Sequence, residues 1–306
     1  MKFKHCITLA ILSIVSLATT YGQQDSQYTQ YMYNTETINP AYAGNRGMFS
    51  LYSLYRAQWV GLEGAPRTVN ISMNTPVGFG GVGLGLSFYQ DEIGPSKENN
   101  LTADFSYTIQ TSEDSRLSFG IKGGFNLLDV NFSDLVFNPL DPNAVNIDNR
   151  FSPVVGAGVY FHSSDKWYVG LSTPNFINTE HYEDVTTSTA TEKAHFYLMA
   201  GYVFNLSDSI KFKPAALAKA VVGAPLAVDA TASFMFNNVF TLGAAYRWDA
   251  AVSALVGFQL SDNLMIGYAY DYDTTELGNY NSGSHEIFLR FDLINKVRRA
   301  VNPRFF

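Results

Sequence analysis

The 306-residue chain is poor in charge, in cysteine and in long apolar runs. Charged residues make up 15%, against the roughly 25% of an ordinary soluble domain. Aromatic residues also make up 15%, which excludes the composition of a disordered chain. No apolar stretch reaches the ~20 residues that a membrane-crossing helix needs. Acidic residues outnumber basic ones, 27 to 20, and no segment gathers Lys and Arg into a face for nucleic acid. Cysteine occurs once, as Cys6.

That position is explained by the N-terminus. Lys2 and Lys4 form a positive start, Ile7 to Ala18 a short apolar stretch, and Gly22-Gln23 a cleavage point. A secretory signal peptide over residues 1–22 is predicted, and with it export. The rest of the chain then has no cysteine, so no disulfide, thiolate nucleophile or cysteine metal site. Losing Lys2 and Lys4 takes the 20 basic residues to 18 against 27 acidic ones, a net charge of −9.

From about residue 48 the hydrophobic period is two. Val69, Ile71 and Met73 alternate with Asn70, Ser72 and Asn74. Leu101, Ala103, Phe105, Tyr107 and Ile109 alternate with Thr102, Asp104, Ser106 and Thr108. Val228, Ala230, Ala232 and Phe234 alternate with Asp229, Thr231 and Ser233. Such runs are β-strands with one apolar and one polar face.

A soluble sandwich would alternate too, so three further features decide. The segments are long for globular strands, which run about five or six residues. Aromatics collect towards segment ends: Tyr52, Tyr55 and Trp59; Phe88 and Tyr89; Trp167 and Tyr168; Tyr246 and Trp248; Tyr268, Tyr270 and Tyr272. Connections alternate in length, with tight polar turns near 110–114, 162–165, 205–209, 237–238 and 261–263. Longer loops fall near 130–150, 175–193 and 274–283. Together these predict an all-β protein, a transmembrane outer-membrane β-barrel of roughly 14 antiparallel strands.

Residues 48–294 are assigned to the barrel. Residues 23–47 read as a polar periplasmic or plugging segment, and 295–306 as a basic periplasmic tail with Lys296, Arg298, Arg299 and Arg304. Asp104, Lys122, Asp229, Arg247, Asp271 and Arg290 fall on the polar parity and are expected to line the lumen. Strand glycines suit a lumen crowded by side chains or inserted chain.

No catalytic, metal or cofactor site is predicted. His162, His195 and His285 stand near strand ends with no nucleophile motif beside them. Gly78 to Gly83 is glycine-rich but no helix follows, so it fails as a dinucleotide site. Glu180, His181, Tyr182, Glu183 and Asp184 form an acidic-aromatic cluster in a long loop. Its spacing is loose for a metal, and it reads as solvated surface or as a partner-facing loop.

Three segments stand out: Asn39-Pro40-Ala41-Tyr42-Ala43-Gly44, the run from Tyr55 through Trp59, Gly61, Gly64 and Pro66 to Thr68, and Ser282-Gly283-Ser284-His285-Glu286-Ile287. Trp59 suits a membrane-interface anchor, Gly61 and Gly64 suit a turn, and Arg56 and Gln58 share a face that could hold an inner segment. With the leader, these segments resemble the PorP/SprF family of outer-membrane proteins of the type IX secretion and gliding machinery of Bacteroidetes. The resemblance implies a non-enzymatic barrel in the outer membrane. Implied partners are periplasmic type IX secretion and gliding proteins. A cognate secreted cell-surface protein, adhesin-like with a C-terminal sorting domain, is implied as well, its secretion or surface attachment depending on the barrel. The resemblance also marks Asn39, Pro40, Gly44, Tyr55, Arg56, Gln58, Trp59, Gly61, Gly64, Ala65, Pro66, His285 and Glu286 as signature positions, for structure or for partner binding. The lipid bilayer is the other partner, and a channel for small solutes is the alternative function.

Overall fold

The computed structural model describes residues 27–78, 80–132, 146–163, 166–177, 179–180 and 191–293. Its strands are β1 (Phe49–Ala57), β2 (Arg67–Val77), β3 (Val82–Ile93), β4 (Ser96–Gln110), β5 (Ser115–Val130), β6 (Ile147–Ser163) and β7 (Trp167–Thr173). They continue as β8 (His195–Tyr202, resumed after Val203 by Phe204–Asn205), β9 (Ile210–Val221), β10 (Ala227–Phe236), β11 (Phe240–Arg247), β12 (Ala251–Gln259), β13 (Leu264–Asp273) and β14 (Ser284–Leu293). Each pairs antiparallel with the next, and β14 returns to β1 with Phe49 opposite Leu293 and Ala57 opposite His285. The result is the predicted closed barrel of 14 antiparallel strands. Closure leaves no unpaired sheet edge, the condition for strands to stand in hydrocarbon.

Alternation sets the two faces. Ile71, Met73, Leu84, Leu86, Phe105, Ile121, Leu171, Leu242 and Leu289 are exposed on the outside. Asn70, Ser72, Ser106, Ser118, Ser172, Thr231 and Ser253 are buried on the inside. The six charged residues expected in the lumen all point inward. Among them Lys122 pairs with Asp104 at 3.0 Å and Arg247 with Asp229 at 2.7 Å. Of the aromatics expected in an outer girdle, Tyr55, Tyr246, Trp248, Tyr268 and Tyr272 are exposed. Tyr52, Tyr89 and Tyr168 are not: they sit on the inward parity, where Tyr52 and Tyr168 are 3% and 4% exposed. The rings of Tyr52 and Tyr168 pack around chain held inside the barrel, and the Tyr89 hydroxyl donates to Glu98.

All six connections on one rim are short, at 78–81, 111–114, 164–166, 206–209, 237–239 and 260–263; this is the turn rim, where β1 begins and β14 ends. The opposite, loop rim carries the longer connections, at 58–66, 131–146, 174–194 and 274–283, but also three short ones, at 94–95, 222–226 and 248–250, so the expected alternation of short and long holds only in part. Within 174–194 the pairs Thr179–Glu180 and Thr191–Glu192 form a two-residue ladder. The side chains of Glu180, His181, Tyr182, Glu183 and Asp184, and the tail from 294 onward, lie outside the described residues.

Candidate functional site

The segment before β1 occupies the lumen and runs from one rim to the other. It is built of three short turns, Tyr31–Tyr33, Thr35–Ile38 and Pro40–Tyr42. No periodic stripe governs it. Nearly every residue from Tyr28 to Ala43 is buried, because wall surrounds it on all sides.

Its first residues are tied near the loop rim. The Gln27 amide donates to Asp229, two residues into β10. The backbone N–H groups of Thr29 and Gln30 donate to the two Glu286 carboxylate oxygens at 3.0 and 2.8 Å. The Thr29 hydroxyl donates to Asp271 at 2.8 Å. Between the two carboxylates stands Arg56, 2.7 Å from Asp271 and 3.1 Å from Glu286. All three side chains are nearly or fully buried. The Arg56 guanidinium bridges both carboxylates, and Thr29 and Gln30 donate to them as well, the pairing and hydrogen bonding that a buried ion cluster needs to be tolerated.

The middle of the segment is held by packing and amides. Tyr33 packs at a tilt against Phe288, with ring centroids 4.7 Å apart, and Phe288 stacks on Tyr52. Tyr31, Met32, Ile38 and Tyr42 join a cluster with Tyr160, Tyr168, Tyr197 and Leu217. Met32 and Ile38 contribute ~1.5–3 kcal/mol each when fully buried. The Asn34 amide donates to Asn70 at 2.8 Å, and Asn74 donates to Glu36 at 2.5 Å. The Asn39 side chain accepts from the Ala41 N–H at 3.0 Å and donates to the Val159 carbonyl at 3.0 Å. One residue thus caps a plug turn and bolts it to β6.

The last residues are fastened at the turn rim. Ser106 donates to the Ala43 carbonyl at 2.6 Å. The Asn45 Oδ1 meets Thr108, Ser118 and His162. Arg46 pairs with Asp292 at 2.9 Å, and Ser50 donates to the same carboxylate at 2.7 Å. Gly44 has φ of +72°, which a side chain rarely adopts, and a Cβ there would lie 2.7 Å from the Gly83 Cα.

Glycines on the inner wall make this fit. A Cβ on Gly120 would overlap the Ala41 nitrogen and the Pro40 carbonyl carbon; one on Gly158 would overlap Asn39 Oδ1, and one on Gly85 Glu36 Oε1. Gly123 faces outward and a Cβ there meets nothing. Gly120→Ala should therefore cost ~1–3 kcal/mol, the usual range for overpacking, while Gly123→Ala is neutral. Thermal unfolding of the two variants in detergent tests this, and equal stability would refute the close plug–wall contact.

The signature positions thus separate into three groups. Asn39, Pro40, Gly44, Arg56 and Glu286 meet at the plug–wall contact. Tyr55 and His285 face outward, His285 2.6 Å from the Tyr268 hydroxyl. Gln58, Trp59, Gly61, Gly64, Ala65 and Pro66 form the β1–β2 connection, where Gln58 N–H donates to the Pro66 carbonyl at 2.9 Å and Val60 pairs with the β13–β14 connection. Arg56 reaches the inner segment; Gln58, just past the end of β1, is half-buried in that connection. Thr29, Glu36, Arg46, Asn74 and Asp292 carry as much of the contact, and their only signal in sequence is a polar residue on inward parity or before the first strand. Among the described residues no group of three or more His, Cys, Asp or Glu is placed to hold a metal ion.

Comparison with known proteins gives one family. Residues 20–291 match the model of a family described as type IX secretion system membrane protein PorP/SprF. No curated protein matches the chain. Among solved structures it is similar to outer membrane protein Omp33 of Acinetobacter baumannii, with 7% identity and a TM-score of 0.49 over 80% of this chain and 98% of that one. It is similar also to the toluene transporter TbuX of Ralstonia pickettii, with 9% identity and a TM-score of 0.49 over 86% and 92%. For a KdgM porin the values are 9% and 0.37 over 80% and 99%.

Proposed function

This chain belongs to the PorP/SprF family of type IX secretion system membrane proteins, and from that membership we propose that it serves the secretion or surface attachment of one cognate secreted protein. It is an outer-membrane barrel associated with type IX secretion. The observation that carries the finer reading is the filled lumen: a barrel that spends its interior on its own chain has its rims left for recognition. The loop rim faces outward and meets the secreted protein, through the connections at 131–146 and 174–194 and the Glu180–Asp184 cluster. The turn rim, with the basic tail beyond it, faces the periplasmic machinery. The protein acts without catalysis, as a receptor or anchor. The signature residues Asn39, Gly44, Arg56 and Glu286 act on the fold, by fixing the plug.

A pull-down of C-terminally tagged protein from its own outer membranes in mild detergent, read by mass spectrometry, tests the reading. A large secreted protein should be the main companion, and it should be depleted when Glu180, His181, Tyr182, Glu183 and Asp184 are replaced by alanine. Periplasmic proteins alone would assign a role in the machine itself, and recovery of the barrel alone would overturn the proposal.

A further inference from the structure

We propose that the lumen holds, beside the plug, a binding chamber for one neutral sugar ring, free or as the end unit of a glycan. A cavity of about 80 Å³ lies there, between the plug and the wall of β3, β4 and β5. One water needs ~10–15 Å³ of such space, so the cavity takes several. That is the scale of a single small ring, and too little for a lipid chain or a folded peptide segment. Lys122, eight residues short of Val130 at the loop-side end of β5, stands at its deep end. Tyr89 and Asn175 line it nearer the loop rim, so the way in is from that side.

The two faces of the chamber differ. One is polar wall, with Ser87 of β3 opposite Thr102 of β4 in the ladder and Asn100 beside them. The other is apolar, made by Tyr28 and Ile38 of the plug with Tyr197 of β8 and Leu217 of β9. A sugar ring has the same two characters, hydroxyls along its edge and C–H groups on its faces. Small-molecule sites combine apolar and aromatic lining with a few placed polar groups in this way. Two hydroxyls of the lining, Ser87 Oγ and Thr37 Oγ1, are buried and have no hydrogen-bond partner among the described residues. Ser87 is 3% exposed, and buried polar groups are as a rule satisfied. Ligand hydroxyls, which both donate and accept, would complete them, whereas a hydrocarbon would leave them unpaired. A charged ligand is disfavoured, because Lys122, the charged residue of the lining, is already paired with Asp104 at 3.0 Å. None of this depends on which secreted protein the barrel serves.

Saturation-transfer NMR on the purified protein, in a detergent without a sugar headgroup, tests the chamber. The probes are glucose, galactose and mannose, with glucuronate and glucose 6-phosphate as charged counterparts. At least one neutral hexose should give a signal and the charged pair none. Ser87→Phe fills the chamber and should abolish the signal. Asn100→Ala leaves the space open and should weaken affinity about tenfold, the loss of roughly one hydrogen bond. Phe88→Ala, on the lipid-facing side of β3, should change nothing. The heat-dependent gel shift identifies folded variants, and if Ser87→Phe does not fold, Asn100→Ala carries the test. Maltose reads whether the ring is taken free or as an end unit, with the chamber upheld in either case. No signal from any neutral hexose, equal signal from the charged sugars, or unchanged affinity in Asn100→Ala would overturn the proposal.

Discussion

Deleting residues 27–43 should convert a barrel without steady current in planar bilayers into one that conducts ions continuously. The reasoning is one of size and lining. Eight strands leave an interior that side chains can fill, and porins of 16–18 strands leave an aqueous channel. Fourteen strands lie between, so this interior must be occupied by something more than its wall. Its glycines at positions 83, 85, 120 and 158 withdraw the wall further, to admit backbone. With the plug gone, Ser72, Asn74, Ser106, Ser118, Asp271, Glu286 and Arg290 would face water, which suits hydrated ions. Barrel closure itself rests on the strand ladders and on β14 pairing with β1, so the variant should keep the heat-dependent shift in gel migration of a folded barrel. Steady current from the intact protein would bring the small-solute channel forward. A folded deletion variant without current would mean that the loops or wall side chains seal the lumen unaided.

Strand positions were readable because lipid outside and polar chain inside impose opposite demands on successive residues. Val69 to Asn74 and Leu101 to Ile109 satisfy both demands without ambiguity. β1 does not: Phe49, Leu51 and Tyr55 on one parity face Tyr52 and Leu54 on the other, so both faces read as apolar. Only Arg56 marks which side is the lumen. The same ambiguity placed Tyr52, Tyr89 and Tyr168 in an outer girdle, since an aromatic that packs a plug and one that anchors in lipid look alike along a strand. The plug contacts were harder still. Thr29 and Glu286 are 257 positions apart, and no local pattern connects them. What the sequence did show was that polar and charged residues on inward parity need partners, and that small residues there leave room. Asn39, Gly44, Arg56 and Glu286 were visible as signature positions before any geometry linked them. Asp292 and Arg46 were not, because a polar residue beside a chain end has a simpler solvated explanation.

Arg56→Met should destabilise the protein by about 3–5 kcal/mol, the cost of removing one partner from a buried ion pair and leaving the other uncompensated. Here two carboxylates lose their cation at once, and both are nearly or fully buried. Thr29 and Gln30 still donate to them, but neutral hydrogen bonds cannot balance two adjacent negative charges. The plug end is held through the same carboxylates, so its N-terminal turn should detach first. Arg56→Lys keeps the charge yet loses the planar fork that spans both oxygens, and should fall between wild type and Arg56→Met. The double variant Arg56→Met with Glu286→Gln separates the causes. If repulsion between unpaired carboxylates dominates, removing one charge should return part of the stability lost in the single variant. If the loss is mainly of packing by the Arg56 stem, the two changes should add. Denaturant midpoints in detergent supply the stabilities, and protease cleavage within residues 27–34 reports the detached end. Unchanged midpoint and unchanged protection in Arg56→Met would show that the plug is held by its aromatic packing and its turn-rim contacts alone.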